Sequence, residues 1–379
     1  MVALLICSLL TIGYLALIIA YCKGWAMQQP FILQQDFLPR TTISVIIPAR
    51  NEASNIEACL SSIISGRYPA HLLEIIVVDD HSTDGTAGIV QNAAASNIRC
   101  ISLADYLDPG KPINAYKKAA IAAGIKTSKS ELIVTTDADC IAPDGWLLNM
   151  AAAYEQRKPA MIVAPVIYSS DRSLVQIFQL IDFMGMQGIT AAAHSLKLGN
   201  MSNGANLAFS RAAYIIVNGY EGIMHLASGD DYLLMMKINK SFPGGIAYLS
   251  AADTIVVTAP QPGWRSFLQQ RIRWASKSGK YADARLTGIL LLVYVFNVAI
   301  LALAIAGIFR LSCLLLAGSM LAIKIVAEYI FLRPVAAFFN KQWALRYFPL
   351  LQPLHVIYIV LAGFLGLVGG YKWKGREVK

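Results

Sequence analysis

The sequence predicts an α/β domain, a doubly wound and mostly parallel sheet, with apolar membrane helices on either side of it. Three observations predict it. From Thr42 onward, short β-branched runs alternate with helical stretches, the pattern of βαβ units. Polar and acidic motifs fall where those runs end, and uncharged apolar stretches bracket the whole.

The elements follow in order. Residues 2 to 21 are an uncharged apolar run, long enough to cross a bilayer at about 1.5 Å rise per residue. It lacks a charged start and a small-residue cleavage site, so residues 1–22 read as an uncleaved anchor. The domain spans 41–260, with strands expected at 42–48, 74–79, 98–102, 131–136 and 160–164. Helices are expected near 84–96, 112–126 and 145–157, and Ser54-x-x-Glu57 predicts a capping box opening a helix to about Ser65. Residues 172–198 form a long helix with few charges, carrying Phe178, Phe183, Met184 and Met186. It reads either as a core helix or as an interfacial helix holding a lipid acceptor. Residues 261–285 mix Trp264, Phe267, Ile272 and Trp274 with Arg265, Arg271, Arg273, Lys277 and Lys280, a basic amphipathic segment for a membrane surface. Apolar segments at 286–309, 311–332 and 345–370 make up a C-terminal membrane region over 286–370, followed by a basic tail at 371–379. Pro349 and Pro353 place a kink or an interfacial turn at the start of the last segment.

Charge narrows the function. The chain has 379 residues, 56% of them apolar, and a net charge of +9. Residues 41–260 nevertheless carry −4, whereas residues 261–379 carry +12. A nucleic-acid binder carries its basic charge on the folded domain. Here the excess flanks apolar spans, as cytoplasmic flanks and anionic headgroups favour, so the partner is a membrane surface and not nucleic acid. The six cysteines show no framework spacing and read as a reducing compartment or apolar packing. The five histidines lack metal-ligand spacing; His81 and His225 lie near the motifs but read as structural or substrate-lining.

Five motifs carry the chemistry. Asp137-Ala138-Asp139 follows an expected strand. A diphosphate leaving group calls for a hard divalent cation, and such cations take oxygen ligands. Two carboxylates one residue apart can face one metal-diphosphate; the plainer reading is a loop pair capping a helix begun by Pro143 and Asp144. Asp79 and Asp80 end a strand, where a carboxylate can accept a uracil imide hydrogen or a ribose hydroxyl. The following His81-Ser82-Thr83-Asp84-Gly85-Thr86 equally suits a tight turn, with Asp84 as its turn and cap residue. Pro48, Arg50 and Glu52 close the first strand as further donor-binding candidates.

Asp231 in Gly229-Asp230-Asp231 is the candidate general base, because inverting sugar transfer needs a carboxylate to take the acceptor hydroxyl proton. Adjacent carboxylates also raise one pKa by repulsion. The plainer reading is an N-cap opening a helix at Tyr232. Gln270, Arg273 and Trp274 share one helix face by their spacing. Arg273 can neutralise a departing diphosphate and Trp274 can floor an acceptor channel, or they are an interfacial Trp with a snorkelling Arg. Lys118, with Lys117 and Lys111, suits phosphate or sugar oxygens or a solvated helix face. Asn203 and Gly204 suit an acceptor pocket or a turn, and Lys324 and Glu328, four apart in an apolar span, can pair inside a bundle.

Together these motifs resemble a membrane-bound family 2 glycosyltransferase of GT-A fold, over roughly 41–280. The resemblance implies nucleoside binding at Asp79 or Asp80, and Mg²⁺ or Mn²⁺ with diphosphate at Asp137 and Asp139. It implies Asp231 as base with inversion, and diphosphate and acceptor binding at Gln270, Arg273 and Trp274, with Asp230 alongside. Gly-Asp-Asp replaces the commoner Thr-Glu-Asp or Gly-Glu-Asp and keeps the last Asp. The expected enzyme moves a sugar from a nucleotide-sugar, a UDP-sugar first, to a membrane lipid acceptor. A processive polysaccharide synthase of the cellulose, chitin, hyaluronan or poly-GlcNAc type is the alternative, with a glycan acceptor and walls supplied by an oligomer or a partner subunit. An inactive membrane scaffold would lack Asp139 or Asp231, and both are present. The expected location is a bacterial inner membrane with the domain cytoplasmic. Three full C-terminal spans would then leave Lys372, Lys374, Arg376 and Lys379 outside, against the positive-inside tendency, unless one segment is interfacial or re-entrant.

Overall fold

In the computed structural model the β-branched run after Thr42 becomes β1 (Ile43–Ala49), buried along nearly its whole length. In chain order there follow β2 (Leu73–Asp79), β3 (Ile98–Ser102), β4 (Leu132–Thr135), β5 (Cys140–Ile141) and β6 (Met161–Val163). Then come β7 (Val166–Tyr168), β8 (Leu207–Ser210), β9 (Ile246–Tyr248) and β10 (Val256–Thr258). The structure describes every residue except 1, 94, 109, 111, 112, 171, 199, 200, 227, 228, 277–282, 369, 370, 374, 375 and 379. Lys111, Lys277, Lys280, Lys374 and Lys379 therefore lie outside the described residues. The chain divides into a sheet unit (Gln29–Ile167 and Asn200–Ala259) and a helical unit (Met1–Gln28, Tyr168–Gly199 and Pro260–Lys379).

The sheet unit centres on seven strands in the order β3-β2-β1-β4-β8-β6-β9. β3, β2, β1 and β4 run parallel, in a register that pairs Ala49 with Asp79 and Ile46 with Thr135. β8 runs against both β4 and β6, and β9 runs parallel to β6. The four parallel strands are β-branched because helices cover both faces of such a sheet. The strand order reverses between β1 and β4, which opens a crevice at the carboxyl ends. The antiparallel β8 brings its amino end, and so residues 203–206, to that same edge. β5, β10 and β7 form a smaller sheet.

Helix Tyr116–Thr127 lies against this sheet at Gly124, where an added Cβ would sit 2.6 Å from Ile46 Cγ2. Gly124→Val should therefore cost about 1–3 kcal/mol through overpacking. Thermal unfolding in detergent should show a lower midpoint; an unchanged midpoint would contradict this packing.

Several expected boundaries move. The helix after β1 is Ile56–Ile64 with Asn55 as N-cap and no side-chain cap bond, so Ser54 and Glu57 form no capping box. Asn55 Nδ2 instead donates to Glu52 Oε2 at 2.8 Å, which spends the capping side chain on the preceding loop. The helix expected at 84–96 is only Thr86–Gln91, opened by Gly85 at φ 89°. Asp84 does take the turn role, accepting from the backbone of Ala53 at 2.9 Å and of Thr86 at 3.1 Å. The helix at Trp146–Arg157 starts from Gly145, not from Asp144.

Among the described residues the helical unit contains four helices long and apolar enough to cross a membrane: Leu4–Ala26, Ala284–Ala306, Leu311–Phe338 and the stretch Gln342–Leu367. The last opens as a 3-10 turn over Gln342–Tyr347, and Pro349 and Pro353 both lie within the helix Phe348–Val368 that follows. Close approaches between helices rest on small residues. Gly24 leaves room for the Ala192 carbonyl and Gly188 for Val335, whose Cγ2 would meet an added Cβ at 2.7 Å. Helix Leu174–Leu196 turns Phe178, Phe183 and Met184 into the core, which is the core-helix alternative and not a lipid-holding face. Lys324 and Glu328 pair at 2.9 Å, as their spacing suggests. Gln352 bridges them, accepting from Lys324 at 2.6 Å and donating to Glu328 at 2.8 Å, and Tyr14 hydroxyl also donates to Glu328. Such a set satisfies ionised groups that hydrocarbon would otherwise exclude.

Candidate active site

The carboxyl edge of β1, β2 and β4 collects most of the residues singled out in the sequence. β2 ends at Asp79. Its Oδ2 accepts from the Ser82 amide at 3.3 Å, while Oδ1 is buried and has no partner among the described residues. A buried acceptor left in this state costs free energy until a donor reaches it. Asp80 is 4% exposed and already engaged: His81 Nδ1 lies 2.9 Å from Oδ1, and Arg50 donates to its carbonyl at 2.8 Å. Of the two, Asp79 is the carboxylate with an oxygen that has no partner among the described residues. The loops after β1 and β2 lock together through Asn51, whose Oδ1 accepts from the Thr83 amide at 2.8 Å and whose amide donates to Ser82 Oγ at 3.0 Å. Asn51 and His81 both sit at positive φ, 53° and 57°. Backbone strain of this kind concentrates at functional sites. Pro48 lies inside β1, at the register of Val78.

Asp137 and Asp139 follow β4 on a turn. Burial pushes the Asp139 carboxyl up to about 6, with Asp137 and Glu52 adding like charge. The neighbouring Cys59 thiol is pushed up to about 12 by burial and by the same carboxylates, so it packs as a thiol. The lysine at these carboxylates is not Lys118. Lys118 is fully buried and donates to the carbonyls of Ile223 at 3.0 Å and Leu226 at 2.5 Å, anchoring that loop. Lys117 instead lies 2.6 Å from Asp137 and 3.2 Å from Asp230. Burial alone would lower its pKa, but Asp137, Asp230 and Asp231 hold it well above the ordinary lysine range. The sequence signal for this choice is one helical step, which only the docking of helix Tyr116–Thr127 resolves.

Asp231 is an N-cap that also reaches a second backbone amide. Its Oδ1 accepts from the Tyr232 amide at 2.7 Å, opening helix Tyr232–Ser241, and its Oδ2 accepts from the Gly204 amide at 3.2 Å. Gly204 packs closely here: a Cβ would stand 2.9 Å from Asp230 Oδ2 and 3.3 Å from Lys117 Nζ, so either side chain would have to move. Asn203 Oδ1 accepts from the Ala205 amide at 3.0 Å, the turn that delivers Gly204 to this point. Asn206 is structural, bonded to Trp146, Pro165 and Thr254. In the helical unit, Gln270, Arg273 and Trp274 lie on helix Trp264–Ala275. The buried arginine of that helix is Arg271, 2% exposed, where the amphipathic pattern predicts a surface residue.

Residues 44–209 match the family model described as Glycosyl transferase family 2. The chain carries a family 2 glycosyltransferase domain. It is similar to glycosyltransferase AglE of Haloferax volcanii, 36% identical over 28% of this chain and 33% of that protein. It is also similar to an undecaprenyl-phosphate 4-deoxy-4-formamido-L-arabinose transferase of Aeromonas hydrophila, 34% identical over 27% of this chain and 30% of that protein. The chain thus spans about a third of the length of these curated relatives. Among solved structures, the mannosyltransferase PcManGT of Pyrobaculum calidifontis in complex with GDP-Man and Mn²⁺ superposes with a TM-score of 0.58. It is 20% identical over 97% of this chain and 98% of that one, a likeness of fold. The sheet unit is the GT-A-like mixed α/β core of such glycosyltransferases.

The residues of this glycosyltransferase domain fit a divalent cation in one way only. Among the described residues no cluster of three or more His, Cys, Asp or Glu side chains could hold a metal ion by itself. Asp137 and Asp139 suit a metal that a donor diphosphate also ligates, the usual manner for Mg²⁺ beside phosphates. The carboxylate crowding that pushes Asp139 up is what a dication would relieve.

Proposed function

We propose that this glycosyltransferase moves a sugar from a nucleotide-sugar to a membrane lipid acceptor, inverting the anomeric centre. The observation that carries this reading is the gathering of Asp79, Asp137, Asp139, Asp230 and Asp231 with Lys117 around the edge where β1 and β4 diverge. Asp79 Oδ1 is the acceptor for a base or ribose donor, a uracil imide first, since that atom lacks a partner among the described residues. Asp137 and Asp139 are the residues to hold Mg²⁺ or Mn²⁺, which would neutralise charge on the departing diphosphate. Asp231 takes the proton of the acceptor hydroxyl as its oxygen bonds to the anomeric carbon and the carbon–phosphate oxygen bond breaks. The Gly204 amide and the Tyr232 amide fix the carboxylate that does this. Arg273 and Trp274 serve the diphosphate and the acceptor.

A lipid acceptor is supported by the four long apolar helices and by the lipid-phosphate transferase among the relatives. The test is transfer in membrane lipids from UDP- and GDP-sugars, with chelator arms. Organic-extractable product that vanishes in EDTA and returns with Mn²⁺ or Mg²⁺ is the expected result. Undiminished transfer in EDTA would remove the metal from the reading, and a water-soluble polymer would replace the lipid acceptor.

Lys117 gives a further expectation. Lys117→Met leaves Asp137 and Asp230 without their shared cation, so donor affinity should fall by about tenfold or more. Lys118→Met should act instead through folding, because its ammonium holds backbone carbonyls. Donor titration alongside thermal unfolding separates the two; a donor-affinity loss confined to Lys118→Met would reverse the assignment.

A further inference from the structure

The helix that carries Gln270, Arg273 and Trp274 is anchored from below by a charge pair its sequence does not announce. Arg271 Nη2 and Nε both donate to Asp182 Oδ2, at 2.7 and 3.0 Å. Both side chains are almost completely enclosed, 2% and 6% exposed. The third arm of the guanidinium, Nη1, donates to Gln270 Oε1 at 3.0 Å. The guanidinium carbon lies 4.1 Å from the Trp274 ring centroid and 4.8 Å from that of Phe267. One arginine therefore touches two of the three motif residues. Asp182 in turn is held from a second side, with its Oδ1 3.5 Å from His355 Nε2, and the Tyr168 hydroxyl donates to Gln270 at 3.3 Å. Burial would raise the Asp182 carboxyl, but Arg271 and His355 keep it below the ordinary carboxylate range, so it stays ionised.

A buried ion pair is a weak way to gain stability, because well-packed apolar residues of similar volume often do as well. What it supplies is direction. A planar guanidinium that donates twice to one carboxylate oxygen, once to Gln270, and lies over an aromatic ring has one orientation, and the Gln270 amide and Trp274 indole are set by it. Resting on the functional reading above, we infer that Asp182 is the positioning residue of this motif helix: through Arg271 it holds Gln270 and Trp274 in the orientation that serves the acceptor step.

The test uses the full chain in native membrane lipids, with Asp182→Asn, Arg271→Gln and the double variant, and Asp182→Glu as the conservative change. Donor affinity, kcat and acceptor KM are measured beside Trp274 fluorescence, isolated by subtracting the spectrum of Trp274→Phe. The expected result is a loss of about tenfold or more in kcat over acceptor KM for each single variant. Donor affinity should stay within about twofold, since Asp79, Asp137 and Asp139 belong to the sheet unit and every variant keeps the Arg273 side chain. The double variant should be no worse than the poorer single one, as for residues acting as a unit. Trp274 emission should shift in both singles and return towards wild type in Asp182→Glu. Additive losses, unmoved Trp274 emission, or loss of donor affinity together with a lowered unfolding midpoint would each overturn the proposal. Should the wild-type chain transfer no sugar, the functional reading fails by itself, and the emission of Trp274 still decides whether Asp182 sets that ring.

Discussion

Asp231→Asn should lower sugar transfer to a hydroxyl acceptor by about 10²–10⁴-fold, the range a positioned general base supplies. Donor affinity should remain close to wild type. The substitution isolates charge from structure. Asp231 caps helix Tyr232–Ser241 and accepts from the Gly204 amide, and Asn is as good an N-cap as Asp. Its amide oxygen can keep one of those bonds, yet it cannot take a proton at neutral pH. Asp231→Ala would add a capping loss of about 1 kcal/mol and confuse the result. Steady-state rates at saturating donor, with thermal unfolding as the control, make the comparison. The outcome also discriminates acceptors: a phosphate acceptor is already anionic and needs no base. Retained activity in Asp231→Asn would therefore contradict Asp231 as base and point to a lipid phosphate.

Asp139→Asn should separate stability from activity. Burial, Asp137 and Glu52 raise the Asp139 carboxyl from 3.8 to about 6. A raised carboxylate binds a proton more readily folded than unfolded, so stability is lost as pH rises through 3.8 to about 6, and the cost is fully present at pH 7. Asn removes that ionised group, and the variant should unfold at the same temperature or higher at neutral pH. Transfer should nevertheless fall by about 10²–10³-fold, because charge on the leaving diphosphate loses several kcal/mol of stabilisation. Nucleotide titration with and without Mn²⁺ would show the metal-dependent part of donor affinity gone. A less stable protein with normal metal-dependent binding would contradict the placement of Asp139. Such opposition between stability and function is ordinary at active sites.

The parallel half of the sheet was legible because β-branched runs ending in polar residues leave few alternatives. β1 is shifted from its expected bounds by one residue at each end, β2 starts one residue early, and β3 matches. The antiparallel β8 was less so: Leu207–Ser210 is short, and its direction is set by pairing with β4 and β6, not by its own composition. The acidic motifs could be placed on strand ends from sequence. Which of two neighbours faces the site could not, since Asp79 against Asp80 and Lys117 against Lys118 turn on a single residue of register. Arg271 was hidden for a related reason. Charge pattern assigns an arginine on an amphipathic helix to the surface, and only the long-range partner Asp182, 89 positions earlier, makes its burial affordable. The apolar spans needed no such partner and read directly from length and composition.

Metal-dependent transfer of a sugar to a membrane lipid by the groups at this edge is what the structure leads us to expect. Radiolabelled transfer from a panel of UDP- and GDP-sugars by purified protein in native membrane lipids tests it, with Asp231→Asn alongside. A low-mass, organic-extractable product, dependent on Mn²⁺ or Mg²⁺ and lost in the variant, is predicted. A high-mass, water-soluble ladder, or no turnover with any donor by well-folded protein, would contradict it.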